Sequence, residues 1–176
     1  SSNTGGDNSY EWTSTNSETG LEDSGSGDIE FTATNTESNS PIVTTVTVIP
    51  SFTNGDDSNT GEPETFTITV NPIAQIEPME DITLCEGEEL ETIIFSTLNT
   101  GGTTTYEWTN DNTDIGLAAN GVGDIPSFTV TNDTTSALIA TIEVTPTFEN
   151  GGISNTGNSE TFTITVNPGA QVEAVT

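Results

Sequence analysis

Phe162-Thr163-Ile164-Thr165-Val166-Asn167-Pro168 also occurs, without a change, as Phe66-Thr67-Ile68-Thr69-Val70-Asn71-Pro72, 96 residues earlier. Within each copy Phe, Ile and Val alternate with Thr. Successive side chains of a strand point to opposite faces, so this pattern predicts a half-buried β-strand whose polar face is β-branched. The Pro that ends it has no N–H to give a sheet ladder and closes the element.

Working outward, the same offset of 96 returns Tyr10-Glu11-Trp12-Thr13 as Tyr106-Glu107-Trp108-Thr109, Gly5-Gly6 as Gly101-Gly102, and Ala74-Gln75 as Ala170-Gln171. Between residues 29 and 41 the register slips by one residue and recovers, as expected at a loop. A period of 96 is too long for a solenoid unit and suits a whole β-sandwich domain. Boundaries drawn at each Asn-Pro make residues 73–168 a complete repeat, residues 1–72 a repeat without its first 24 or so positions, and residues 169–176 the start of another. An alternative for the first repeat is that a strand from a neighbouring chain fills the gap.

Inside residues 73–168, Leu138, Ala140, Ile142 and Val144 alternate with Ile139, Thr141, Glu143 and Thr145. Tyr106 and Trp108 share a face opposite Thr105, Glu107 and Thr109. Ile82 with Leu84, Ile93 with Phe95, and Phe128 with Val130 mark further strands. Glu86-Gly87, 99–102, Asn120-Gly121, Asn132-Asp133 and Asn150-Gly151-Gly152 are turn signals between them. About seven short strands and no helical periodicity predict an all-β sandwich. Tyr10, Trp12, Tyr106 and Trp108 read as core residues between sheets, in preference to a sugar-stacking role for the indole.

The 176 residues include 28 Asp and Glu but no Lys, Arg or His. Nucleic acid is excluded as a partner, because neutralising phosphates needs cations; anionic membranes are disfavoured likewise. No apolar run is long enough to span a bilayer, so no membrane insertion is expected. Without imidazole or amine no Ser–His–Asp, Cys–His or Schiff-base site can form, and a non-enzyme is expected. Lys-dependent isopeptide cross-links are excluded too. Two carboxylates about 7 Å apart in water repel by roughly 0.6 kcal/mol, and only dissolved cations relieve this. A salty or divalent-rich surrounding is therefore expected.

The runs Thr104-Thr105-Tyr106-Glu107-Trp108-Thr109-Asn110, Ile115-Gly116-Leu117-Ala118-Ala119, Gly123-Asp124-Ile125-Pro126-Ser127-Phe128-Thr129 and Thr161-Phe162-Thr163-Ile164-Thr165-Val166-Asn167-Pro168 resemble the PKD-like repeats of very large surface proteins of Bacteroidetes. The resemblance covers residues 73–168 and, more loosely, 1–72. It implies tandem immunoglobulin-like β-sandwich domains, export to the cell surface by the type IX system, and a part in adhesion, gliding or filament formation. The acidic glycine turn that follows the tryptophan in true PKD domains is missing, which places the chain with the divergent branch. In similar repeats a cysteine near Cys85 often accompanies a second one in the late loop, where this chain has Ile153-Ser154-Asn155-Thr156-Gly157. Cys85 is therefore expected to be a buried free thiol, with interchain disulfide formation as the lesser reading.

Calcium is the one cofactor the residues suggest, since it takes hard oxygen ligands. Asn110, Asn112 and Asp114 alternate ahead of Gly116 like the start of a calcium loop, although the glycine sits one place late and no bidentate Glu follows. A second candidate lies near Asn71-Pro72 and draws on Asp124 and the late loop at 149–158, beginning with Glu149. Asn132-Asp133-Thr134-Thr135 fits both an N-glycan sequon and a short O-glycosylation pattern at Thr134. The function expected from all this is a structural or adhesive repeat in a stalk or filament, partnered by neighbouring repeats and by identical chains. The competing reading is a module whose loops, such as 111–120, grip surface glycans or a protein.

Overall fold

A computed structural model describes residues 4–36 and 38–170. Among them every regular element is a strand except two single 3-10 turns, Ser17–Thr19 and Thr113–Ile115. The backbone divides into two compact units, Ser1–Pro72 and Ile73–Thr176. Of the third repeat expected from Gly169 onward, residues 171–176 lie outside the described residues.

Unit 1 contains β1 (Asp7–Ser14), β2 (Ser24–Ser26), β3 (Ile42–Asn54), β4 (Asp57–Thr60) and β5 (Glu64–Val70). They form one antiparallel sheet in which β1 lies between β2 and β3, while β4 and β5 pair with successive parts of β3. The Trp12↔Val48 and Ile42↔Val70 pairs fix its register.

Unit 2 contains β6 (Ile82–Cys85), β7 (Glu89–Leu90), β8 (Thr103–Asn110), β9 (Asn120–Val122), β10 (Phe128–Thr129), β11 (Leu138–Asn150), β12 (Ile153–Thr156) and β13 (Glu160–Asn167). The strands β8, β9, β11, β12 and β13 reproduce the sheet of unit 1, pair for pair: Trp108 faces Val144 and Leu138 faces Val166. Residues 73–96 add a second layer of contacts. The strand β6 runs parallel to β13, with Ile82 beside Ile164 and Leu84 beside Val166. A separate pair, β7 with β10, is prolonged by the Ile93–Ile125 bridge. Several sheets closing on a common apolar interior are consistent with a β-sandwich.

The unit 2 core includes Leu90, Trp108, Ile125, Val130, Ile142, Phe162, Ile164 and Val166, all buried. Among the described residues, Trp12, Leu21 and Val46 form the buried apolar cluster of unit 1. Both indoles are held by a backbone approach: Gly25 and Gly121 lie so close to the Trp12 and Trp108 rings that any Cβ there would overlap them.

Three expectations need correction. Ile93 and Phe95 are buried as core residues, but only Ile93 makes a single bridge and Phe95 lies outside any strand. The late loop at 149–158 is mostly a hairpin: β11 continues to Asn150, and β12 pairs back through Asn150↔Ile153. Cys85 is exposed rather than buried. The period of two explains it, since Ile82 and Leu84 pack against the core and Thr83 and Cys85 take the outer face. Of the four aromatic core candidates, Tyr106, Trp12 and Trp108 are buried, while Tyr10 is half-buried. Tyr106 packs on Phe95 at a ring-centroid distance of 5.4 Å.

Candidate functional site

The Asn110–Asp114 segment is built as a tight turn whose side-chain oxygens serve the backbone. Asn110 Oδ1 accepts the Asn112 N–H at 3.0 Å, and Asn110 Nδ2 donates to the carbonyls of Leu117 and Ala118 at 3.1 and 3.2 Å. Asn112 caps the 3-10 turn: its Oδ1 accepts the Asp114 N–H at 3.1 Å, and its Nδ2 donates to Ile139 O at 3.0 Å. The turn ends at Gly116, where φ is 93° and the N–H donates to Thr113 O. A left-handed residue at that point calls for glycine. Unit 1 repeats the device with Asn16 as cap and Gly20 as stop. So Asn110 and Asn112 each direct an oxygen at a neighbouring N–H, and the Asp114 side chain is exposed.

The other candidate ligands sit on separate elements. Asp124 Oδ1 accepts the Phe95 N–H at 3.0 Å and so ties the 93–96 segment to the loop before β10. Glu149 lies exposed on β11, paired with Thr103 on one side and Ser154 on the other. Among the described residues no three His, Cys, Asp or Glu side chains are grouped to hold a metal ion.

Asn132 is 3 % exposed, and its Nδ2 donates to Ser136 O and Val166 O at 2.9 and 2.7 Å. The nitrogen an N-glycan would need is thus enclosed and doubly engaged. Thr134 is exposed; its hydroxyl lies 2.7 Å from Asn132 Oδ1 and 2.8 Å from Ser136 O, within the same turn. An O-glycan at Thr134 would remove the proton that these two acceptors share. Asn35 is the unit 1 counterpart of Asn132 and donates to Ser40 O and Val70 O, both at 2.9 Å.

Sequence reasoning missed these buried amides as framework. It also missed Asn99, whose Oδ1 accepts Gln75 N–H and whose Nδ2 donates to Ile73 O. A usable signal was present at the turns: Asn followed four residues later by Gly, at 16/20 and 112/116, brackets one 3-10 turn.

Two titrating groups are displaced from their ordinary values. The Asp81 carboxylate accepts the Thr163 N–H at 2.7 Å, which lowers its pKa. Burial raises the Tyr106 pKa, partly opposed by a hydrogen bond with Thr97 and reinforced by the negative charges of Asp124 and Glu77. The buried indoles of Trp12 and Trp108 lie against Gly25 and Gly121 and offer no open ring face to a sugar.

No protein-family model matches the chain, and no curated protein is found that resembles it.

Proposed function

We propose that the chain is a structural or adhesive module of a large extracellular surface protein or filament, made of tandem immunoglobulin-like sandwiches that act as stalk or spacer. One observation carries this reading: what recurs between the two units is framework, while several exposed acidic side chains do not recur. The Asn16/Asn112 and Asn35/Asn132 caps recur, as do the Trp12–Gly25 and Trp108–Gly121 contacts. The exposed carboxylates Asp111, Asp133 and Glu149 give way in the first unit to Thr15, Thr36 and Thr53. A repeated binding or catalytic site would keep its contacting groups; a spacer needs to keep only its fold. The order β6-β13-β11-β8-β9 opposite the β7–β10 pair supports the immunoglobulin-like assignment. The lack of Lys, Arg and His supports a non-enzymatic role.

The test is length. The thirteen residues of β11 set a long axis of about 40 Å at roughly 3.3 Å per residue. Chains of two, four and six copies of residues 73–168 should gain about that maximum dimension per copy in small-angle scattering. Growth of the radius as the cube root of mass would refute the spacer reading.

A further inference from the structure

Phe66 and Phe162 occupy the same place in the repeat, yet Phe162 is 2 % exposed and Phe66 is 46 % exposed. The same contrast runs along the strand and beyond it. Ile164 and Val166 are fully buried, whereas Ile68 and Val70 are only half-buried. Val130 is fully buried, whereas its counterpart Ala33 is exposed. Among the described residues β5 pairs only with β3, while β13 pairs with both β11 and β6.

What closes this face in unit 2 is the segment 73–96. It lays β6 parallel to β13, sets the Asp81 carboxylate on Thr163 N–H, and exchanges the Gly87 and Glu88 backbone with Val130 at 3.0 and 2.9 Å. It also buries Leu90, Ile93 and Phe95 in the core and is pinned by Asp124. Each receiving position exists in unit 1: Thr67 for Thr163, Ile68 to Asn71 for Ile164 to Asn167, Ala33 for Val130, and Asp28 for Asp124.

We propose that this face of unit 1 is a docking site for one occupant: an extended segment with the pattern of residues 73–96, its strand parallel to β5 and its apolar side chains over Phe66, Ile68 and Val70. The repeat fixes the register, because Thr67 to Asn71 match Thr163 to Asn167 residue for residue. A second copy is the poorer source. Its own 73–96 segment already closes its own unit 2, and donating it would open the same apolar face there. The proposal does not depend on the spacer reading.

Two experiments on the full chain test it together, at high salt, where the Debye length falls to about 3 Å at 1 M and charge repulsion is screened. In the first, a synthetic peptide of residues 73–96 is titrated in and amide hydrogen exchange is followed. In the second, the same 24 residues are fused ahead of Ser1. The expected results are saturable one-to-one binding, lost with a scrambled peptide and with Phe66→Asp, and exchange at residues 67–71 slowed at least about tenfold by peptide or fusion. Unchanged exchange at 67–71 in both experiments would overturn the proposal. Equal binding of the scrambled peptide would also overturn it, as would concentration-dependent dimers that protect 67–71 without peptide.

Discussion

Replacing Phe162 by Ala and, separately, Phe66 by Ala asks whether two identical heptapeptides do unequal work. Phe162 is 2 % exposed in a continuous core with Ile142, Ile164 and Trp108. Truncating such a residue loses its transfer free energy and leaves a cavity, about 3–5 kcal/mol together. Phe66 is 46 % exposed and belongs to no buried cluster. Scaling a fully buried side chain's transfer value of about 1.5–3 kcal/mol by the half that is covered leaves about 1 kcal/mol, with little cavity to add. At about 4–8 °C per kcal/mol for a domain of this size, Phe162→Ala should lower its unit's Tm by at least about 12 °C and Phe66→Ala by less than about 8 °C. The two units can be read separately, since Trp12 and Trp108 are the only tryptophans and each is buried in its own cluster. Single-tryptophan variants, Trp12→Phe and Trp108→Phe, would assign each fluorescence transition. Equal losses at the two positions would refute the reasoning, because they would place Phe66 in a closed interior.

Three further outcomes follow from the same contacts. Asp81 holds the Thr163 N–H and its pKa is lowered, so its stabilisation is present above the ordinary carboxylate pKa and is lost as pH falls through the lower folded value; Asp81→Asn should lower the Trp108 transition at neutral pH and make no difference in strong acid, and an equal deficit at both pH values would contradict this. With 28 carboxylates and no protein cation, Tm should rise from low to high salt, and calcium and magnesium at equal concentration should act alike on the Trp108 transition, because Asn110 and Asn112 already direct oxygens at backbone N–H groups; a calcium-specific rise would support the calcium loop instead. Cys85, exposed on the outer face of β6, should react with a thiol reagent in the native protein at a rate close to that in denaturant, and protection by orders of magnitude would contradict its placement.

Much of the strand pattern was legible because alternation is local. The Phe-Thr-Ile-Thr-Val runs became β5 and β13, and the Tyr-Glu-Trp-Thr runs became parts of β1 and β8. Local reading failed where long-range contacts decide. Ile93 and Phe95 look like a strand, but their partners are a single bridge and the Asp124 carboxylate. The same nonlocal accounting separates Phe66 from Phe162: nothing within either heptapeptide differs, and the burial of Phe162 comes from the segment 73–96, with β6 against β13 and Leu90, Ile93 and Phe95 in the same core. Among the candidate sites, Asn and Asp in a polar loop read equally well as ligands or as caps. The choice depends on where each oxygen points, and Asn110, Asn112 and Asn132 point at backbone N–H groups of their own turns. Cys85 could have been placed by parity with Leu84, had the period of two been carried one residue further.

The most direct measurement of the central claim is equilibrium unfolding of residues 73–168 expressed alone, followed by Trp108 fluorescence and by backbone circular dichroism. A self-closing repeat predicts one cooperative transition, coincident by both probes, with Trp108 shielded from a soluble quencher before it. A gradual loss of signal, or an indole open to the quencher in the absence of denaturant, would mean that the 96-residue period does not mark an independently folding unit.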